Sequence, residues 1–140
     1  MRFEILLAFA LAATSSAAPS PSLPAGIVSV AAMKDWIATT DAELTFAGAP
    51  IDELGVNPLV TTVTFCSTRT ANLCSGPCTV FTGSGVCHAA PDTNCLAATT
   101  DIAFCAGSNC NGGCNTLSTC GTRLDNGFCF TPSTNSFSVP

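Results

Sequence analysis

Charged residues and catalytic side chains are scarce in this sequence of 140 residues. It contains no tyrosine, one histidine (His88), and four Lys and Arg residues against nine Asp and Glu, which gives a formal net charge of −5. So few basic residues argue against a positive surface that binds phosphate backbones or anionic lipid heads. We therefore expect no nucleic-acid partner, and the single histidine leaves few ways to build an acid–base site.

Two motifs of cysteine and serine chemistry are absent as well. No Cys-x-x-Cys pair occurs, and disulfide oxidoreductases depend on such a pair, so we expect no redox function. No Gly-x-Ser-x-Gly elbow occurs, and His88 four residues before Asp92 is a weak pattern for a catalytic triad. We expect His88 to be a solvated loop residue, and the protein to have no catalytic activity and no cofactor.

The amino-terminal end has the pattern of a secretory signal peptide. An unbroken apolar run at 5–13 follows the early Arg2, and this run is too short to span a bilayer. Small residues at Ser15 and Ala17 predict cleavage after Ala17. We therefore expect a signal peptide at 1–17, a secreted, extracellular protein, and no membrane anchor.

The cysteines that are present fall within one half of the chain. An even, high number of cysteines in a secreted protein predicts a disulfide framework, here with five disulfides. Ten cysteines allow about 945 complete pairings, so the connectivity stays open. The ten residues are Cys66, Cys74, Cys78, Cys87, Cys95, Cys105, Cys110, Cys114, Cys120 and Cys129.

The disulfide-rich half contains a weak internal repeat. Phe-Cys at 65–66 leads to Cys-Ser-Gly-Pro-Cys at 74–78, and Phe-Cys at 104–105 leads to Cys-Asn-Gly-Gly-Cys at 110–114. A glycine between two cysteines can take a positive φ, which suits either a tight turn or a metal-binding knuckle. We favour disulfides and expect no metal, because secretion is oxidising and no histidine stands at ligand spacing. Duplication and chance both remain open as the origin of the repeat.

After the signal peptide, composition divides the chain into four segments. Residues 18–25 form a Pro- and Ser-rich leader that we expect to be disordered, and residues 26–65 form a cysteine-free, β-rich segment. Residues 66–130 form the disulfide-rich segment packed with it, and residues 131–140 form a flexible tail. Alternatively, the cysteine-free half is a pro-segment that is later released, although no dibasic site separates the halves.

Local patterns predict several elements in the cysteine-free segment. Strands are predicted at 27–31, 44–46 and 60–65, and β-branched residues dominate the last of them. A short helix is predicted at 32–39, around Trp36. The expected fold class is small and disulfide-rich, mostly β and irregular, in a single compact domain.

Three aromatic residues are candidates for a binding surface. Trp36 is the single tryptophan, and Phe128 and Phe130 occupy alternate positions, as side chains on one face of a strand do. Just before them, Asp-Asn-Gly at 125–127 predicts a reverse turn, with Cys129 holding its second arm. Core packing is the alternative role for all three aromatic residues.

Residues 66–132, about half of the chain, resemble the small secreted cysteine-rich proteins of filamentous fungi. The similarity lies in Cys-Ser-Gly-Pro-Cys-Thr-Val-Phe at 74–81, Asn-Cys-Leu-Ala at 94–97, and Leu-Ser-Thr-Cys-Gly-Thr-Arg-Leu-Asp-Asn-Gly-Phe-Cys at 117–129. Such proteins are often effector-like, acting at a cell surface, on a host or during growth. The resemblance implies an extracellular protein or a cell-wall component as partner, and it supplies no catalytic residues.

Extracellular recognition by rigid loops between cysteines is therefore the function we expect. One alternative is a small secreted hydrolase whose carboxylates, such as Asp92, Asp101 and Asp125, converge through the fold. Another is a structural protein of the cell wall or surface. Acidic side chains clustered in a cleft would favour the hydrolase. An exposed apolar patch would favour the structural protein, and polar loops would favour the recognition protein.

Overall fold

The computed structural model describes residues 23–51 and 59–140. The expected signal peptide, most of the expected leader and residues 52–58 lie outside the described residues. Helix α1 spans Val30–Thr39, and short 3₁₀ turns lie at Leu117–Thr119 and Asp125–Gly127. The strands are β1 (Glu43–Gly48), β2 (Thr61–Thr70), β3 (Leu73–Gly83), β4 (Cys87–Ala98), β5 (Ala103–Cys105), β6 (Cys114–Thr116) and β7 (Cys129–Ser138).

One sheet contains all seven strands, in the order β1-β3-β2-β4-β7-β5-β6. Strand β1 runs parallel to β3, and the other neighbouring strands are antiparallel. Because β1 joins the edge of this sheet and α1 packs on one of its faces, the cysteine-free and disulfide-rich segments share one domain. The expected fold class, a small, mostly β, disulfide-rich single domain, is confirmed.

Helix α1 begins at a capping serine. The Ser29 Oγ accepts a hydrogen bond of 3.0 Å from the Ala32 N–H, which satisfies one of the free amides of the first turn. Met33 and Trp36 lie three residues apart, so both point to the same side of the helix and are buried on the sheet. Within the described ranges, no helix has the length and apolar character needed to cross a membrane.

The predicted local elements have different outcomes. The helix predicted at 32–39 is confirmed and begins two residues earlier, and the strands predicted at 44–46 and 60–65 fall in β1 and β2. The strand predicted at 27–31 is wrong. Its β-branched residues form only an isolated bridge at Ile27, because the capping serine turns the chain into α1 immediately afterwards.

Strand β2 lies near the middle of the sheet and is covered on both faces. Its first six residues, 61–66, are all buried. On the helix side, the Thr64 Oγ1 donates a hydrogen bond of 3.0 Å to Met33 Sδ, whereas Val63 and Phe65 point to the other face. The helix-side core comprises Val28, Met33, Trp36, Cys66, Cys74, Cys78, Cys95, Ala97, Leu124 and Phe128. The opposite core comprises Ala25, Val63, Phe65, Phe81, Ala90, Leu96, Ala98, Ile102, Leu117, Cys129, Phe137 and Val139.

The carboxy-terminal segment differs from the expected flexible tail at 131–140. Most of it belongs to β7, which pairs with both β4 and β5, and Phe137 is completely buried. Three of its five Ser and Thr residues, Thr131, Thr134 and Ser136, are buried too. Thr134 Oγ1 donates to the Thr131 carbonyl at 2.7 Å, and Ser136 Oγ donates to the Gly107 carbonyl, so their hydroxyls are satisfied inside the fold.

All ten cysteines are paired, which confirms the expected framework of five disulfides and supplies its connectivity. The bridges are Cys66–Cys78, Cys74–Cys95, Cys87–Cys110, Cys105–Cys114 and Cys120–Cys129. Two of them, Cys66–Cys78 and Cys105–Cys114, join residues directly opposite each other on neighbouring antiparallel strands. Because every cysteine is bonded to another, the chain has no thiolate to offer as a metal ligand.

Candidate binding groove along helix α1

Trp36 and Phe128, two of the three candidate binding residues, are in contact in the helix-side core. Their ring centroids lie 4.9 Å apart at an interplanar angle of 52°. Phe128 is 1% exposed and Trp36 is 7% exposed, so Phe128 supports the indole from below and only a small part of the indole reaches the surface. Phe128 therefore packs in the core, and Trp36 forms part of the surface above it.

Phe130, in β7, also packs against the helix-side core but lies in a different environment. It is half-buried, and the guanidinium carbon of Arg69 stands 4.4 Å from its ring centroid. At this distance the cation interacts favourably with the face of the ring and fixes its orientation. Phe130 does not line the clefts beside Trp36.

Two open clefts meet beside the indole, and together they form what we call the Trp36 groove. Their volumes are about 490 and 440 Å³. Both are lined by Trp36, Thr39 and Asn126. The first cleft is completed by Thr40, Asp41, Ala42, Glu43, Leu73, Cys74, Ser75, Gly76 and Pro77. The second is completed by Leu23, Ile27, Val28, Ser29, Ala32, Asp35 and Gly127.

The groove carries negative charge along its length. Asp41 and Glu43 line the first cleft and Asp35 lines the second, and all three side chains are exposed. The Thr40 Oγ1 accepts a hydrogen bond of 3.1 Å from the Ala42 N–H, which shapes the short connection from α1 to β1 that carries Asp41. Among the described residues that line the two clefts, none is Lys or Arg. The local field therefore attracts cations.

The predicted Asp-Asn-Gly turn is confirmed and supplies one wall of the groove. Asn126 has a φ of +63°, and the Phe128 N–H closes the turn onto the Asp125 carbonyl at 3.4 Å. Gly127 packs so closely on Val28 that a Cβ at this position would collide with the valine side chain. This contact brings Asn126 beside α1, although ninety positions separate it from Trp36 in sequence.

His88 is not the solvated loop residue that we expected. It lies in β4 and is half-buried, with its ring 4.4 Å from the Phe81 ring and stacked on Phe137 at 5.3 Å and 16°. Its Nδ1 donates a hydrogen bond of 2.7 Å to the Ala89 carbonyl rather than to a carboxylate. The apolar part of the imidazole completes an aromatic cluster on the opposite face of the sheet.

The three carboxylates considered for a hydrolase belong to separate segments. Asp92 lies within β4, Asp125 lies in the 3₁₀ turn before β7, and Asp101 lies in the loop after β4. Asp101 accepts hydrogen bonds from the Ser118 N–H at 3.0 Å and from its Oγ at 2.6 Å, which ties down the other 3₁₀ turn. None of the three lines the Trp36 groove.

Sequence reasoning singled out Trp36 but missed the polar residues around it. No binding role was predicted for Asp41 or Glu43, although their position just after the end of a predicted helix was a usable signal. No protein family matches the chain, and no curated protein or solved structure matches it significantly. Function is therefore inferred from the geometry and chemistry of the groove.

Proposed function

We propose that this chain is a secreted extracellular recognition protein, effector-like in the manner of the fungal proteins that it resembles, and that it binds its partner in the Trp36 groove without catalysing a reaction. The observation that carries the proposal is the meeting of two clefts at Trp36, Thr39 and Asn126. Together they make a continuous acidic surface beside the single tryptophan of the chain.

Rigid walls on both sides of the groove support a binding role. One wall is the start of β3, and Cys74 in this wall is bonded to Cys95 of β4. The other is α1, which is capped by Ser29 and held to the sheet through Met33 and Trp36. A surface that is already ordered loses little conformational entropy when a partner binds, and this favours affinity.

Charge indicates what kind of partner fits. The carboxylates of Asp35, Asp41 and Glu43 border the groove, and the whole chain has a formal net charge of −5. Such a surface accelerates encounters with a basic partner and disfavours an acidic one. The partner we propose is accordingly an extracellular protein that presents Lys or Arg side chains.

A secreted hydrolase is the second candidate, because Asp41 and Glu43 line the same cleft. Pairs of carboxylates cleave glycosidic bonds when one of them is kept protonated by an apolar environment. Every carboxylate among the described residues is exposed, which suits binding better than acid catalysis. These carboxylates belong to Asp35, Asp41, Glu43, Asp92, Asp101 and Asp125.

Intrinsic fluorescence offers a direct test, because Trp36 is the only tryptophan and lies in the groove. The oxidised protein is titrated with an octa-arginine peptide and with an octa-glutamate peptide as a negative control. We expect a saturable change in emission with the basic peptide only, which weakens as salt is added because exposed charges are screened. Glu43→Gln should weaken binding about threefold or more, since it removes one charge from the groove.

The matched control is Asp92→Asn, which removes one charge at an exposed position away from the groove and should change affinity by less than about twofold. Asparagine also tolerates the φ of +58° found at this position. Equal effects of the two substitutions, or an unchanged emission with octa-arginine, would contradict the proposed groove. Release of reducing ends from a neutral polysaccharide that is lost in Glu43→Gln would instead favour the hydrolase.

A further inference from the structure

The two edges of the seven-stranded sheet differ in how they are protected. One edge is β6, which has three residues and is held by the disulfide Cys105–Cys114. The other edge is β1, whose six residues pair with β3 in an unbroken register from Glu43 to Gly48. Short length, Lys, Pro and bulges are the usual features that keep an edge strand from pairing with another chain. Strand β1 has none of these features.

Backbone groups on the outer edge of β1 belong to alternate residues. The Ala49 N–H donates to the Thr82 carbonyl of β3 at 2.9 Å. Because the direction of backbone groups alternates along a strand, the N–H and C=O groups of Leu44 and Phe46 point away from β3. Within residues 23–51 and 59–140, no other strand pairs with this edge. These groups can therefore bond to one additional strand.

The Phe46 side chain adds an apolar contact beside the outer edge. It is 59% exposed, whereas Leu44, two positions earlier on the same face of β1, packs against the helix-side core. Side chains directly opposite each other on neighbouring strands lie about 5 Å apart, so an added strand would place an apolar residue on the Phe46 ring. Backbone bonds combined with side-chain contacts of this kind are the basis of recognition by strand addition.

Charge at the start of β1 indicates which strand fits. Glu43 is the first residue of β1, Asp41 precedes it by two positions, and both are exposed and line the Trp36 groove. The outer edge is therefore continuous with the groove. The rest of β1 is uncharged. A strand with Lys or Arg at the end beside Glu43 is attracted, whereas a second copy of this chain, with its formal net charge of −5, is repelled.

We infer that the partner adds an extended strand of its own to the outer edge of β1 and places Lys or Arg side chains in the Trp36 groove. This inference rests on the basic partner of the proposed function and adds the way in which that partner is held. The segment that fits carries a β-branched apolar residue beside Phe46, since such residues favour strands. Backbone bonds to Leu44 and Phe46 supply affinity, and the charges near Asp41 set the position of the segment along the edge.

Hydrogen exchange of backbone amides, followed by NMR on the ¹⁵N-labelled, oxidised protein, tests this mode of binding. The valine peptide, Arg-Arg-Thr-Val-Thr-Val-Thr-Arg-Arg, carries arginine at both ends, so either strand direction places a cation beside Glu43. The proline peptide, Arg-Arg-Thr-Pro-Pro-Pro-Thr-Arg-Arg, has the same charge but lacks the central N–H groups on both of its edges. At about 90% saturation with the valine peptide, the Leu44 and Phe46 amides should exchange about tenfold more slowly, because only the free protein exchanges.

The proline peptide is the control on the side of the ligand. It should leave the exchange rates of the Leu44 and Phe46 amides within about twofold of those in the free protein, because it supplies charge without strand pairing. It should also bind about fivefold more weakly than the valine peptide, since it loses several backbone hydrogen bonds. Trp36 emission reports both affinities.

Two substitutions at Phe46 separate the backbone contribution from that of the ring. Phe46→Ala removes the ring, and Phe46→Pro removes both the ring and the outward N–H, which an edge strand tolerates because this group makes no bond to β3. Phe46→Pro should bind the valine peptide about threefold more weakly than Phe46→Ala does. The proline peptide should bind both variants with affinities within about twofold of each other.

The possible outcomes distinguish failure of this inference from failure of the proposed function. Equal binding of the two peptides, with unchanged exchange at Leu44 and Phe46, would overturn strand addition but leave the Trp36 groove as a charge-based site. Absence of binding by both peptides would overturn the groove and the inference together. A dimer of the free protein in sedimentation, with these same amides already slow to exchange, would assign the edge to a second copy and also overturn the inference.

Discussion

The hairpin β2–β3 and the smaller hairpin β5–β6 are linked by the same pattern of disulfides. In each, a cysteine that follows a phenylalanine on the first strand is bonded to the last cysteine of a Cys-x-Gly-x-Cys sequence. These bridges are Cys66–Cys78 and Cys105–Cys114, and the two Cα atoms are 4.1 Å apart in both. The repeat found in the sequence therefore corresponds to a repeated linkage.

The agreement extends to the remaining cysteine of each pattern. Cys74 is bonded to Cys95 and Cys110 is bonded to Cys87, so both hairpins are attached to β4. The glycine between the cysteines has a positive φ in both copies, +84° at position 76 and +75° at position 112. Strand β4 thus serves as the common support to which two stapled hairpins are fixed.

The two hairpins differ in burial. Both cysteines of Cys66–Cys78 lie in the helix-side core, at 1% and 2% exposure, on strands of ten and eleven residues. In the second hairpin the strands have three residues each, and only Cys105 of the bridge is buried, at 1% exposure, whereas Cys114 is exposed. The comparison shows that one linkage serves as core packing in one place and as a clamp on a surface loop in the other.

The largest expected effect comes from removing each bridge in turn. The closed loops span 12 and 9 residues, so their entropic contributions differ by only about 0.3 kcal/mol. Replacing both Cys66 and Cys78 by Ala should lower the free energy of unfolding by about 4 to 5 kcal/mol, because a cavity is added to the lost cross-link. The same change at Cys105 and Cys114 should lower it by about 2 to 3 kcal/mol. Urea denaturation of the otherwise oxidised variants measures both values.

Equal losses of stability in the two double variants would contradict this comparison, because burial would then contribute nothing to the difference. The slope of the unfolding free energy against urea concentration, measured for each variant, provides an internal check. If the slopes agree with that of the parent, the unfolded states expose similar surface, and the free energies can be compared directly.

Sequence patterns predicted the scaffold better than its details. The β-branched run at 60–65 predicted a strand, and residues 61–65 form the buried first half of β2, because such residues pack well on both faces of a covered strand. The Ser- and Thr-rich segment at 131–140 was expected to be flexible, because local composition does not reveal that Thr134 and Ser136 find carbonyl partners in the fold. The disulfide pairing could not be predicted from the sequence either, because it depends on the register of the paired strands.

The groove was only partly predictable. Trp36 was a candidate because it is the single tryptophan, but Asn126 and Glu43 reach it through the packing of a distant turn and an edge strand. Contacts between residues so far apart follow from tertiary structure rather than from local pattern. The environment of His88 could not be predicted from local sequence either, because its aromatic neighbours Phe81 and Phe137 lie on two other strands.

Smaller effects are expected at the glycines of the two Cys-x-Gly-x-Cys sequences. Gly76 and Pro77 together face Ser67 in a bulge, and a Cβ on Gly76 would lie 2.8 Å from the Thr68 Cβ. Gly76→Ala should therefore lower the free energy of unfolding by about 2 to 3 kcal/mol, through its positive φ and this contact.

The corresponding change in the second hairpin should be milder. A Cβ on Gly112 would lie 3.0 Å from the Gly107 nitrogen, in an exposed loop that can adjust, so Gly112→Ala should lower the free energy of unfolding by about 1 to 2 kcal/mol. Gly121→Ala is the control, because it has open space and no positive φ, and it should change stability by less than about 0.5 kcal/mol. Thermal unfolding ranks the three variants, and a larger effect at Gly112 than at Gly76 would reverse the comparison.

A disulfide map of the unreduced protein tests the shared linkage most directly. Digestion with pepsin at acidic pH prevents exchange between thiols and disulfides, because thiolates are protonated, and mass spectrometry then identifies the linked peptides. We expect Cys66–Cys78 and Cys105–Cys114 within the hairpins, and Cys74–Cys95 and Cys87–Cys110 from the hairpins to β4. A bridge within either Cys-x-Gly-x-Cys sequence, or different linkages in the two hairpins, would contradict the repeated arrangement on which the fold is built.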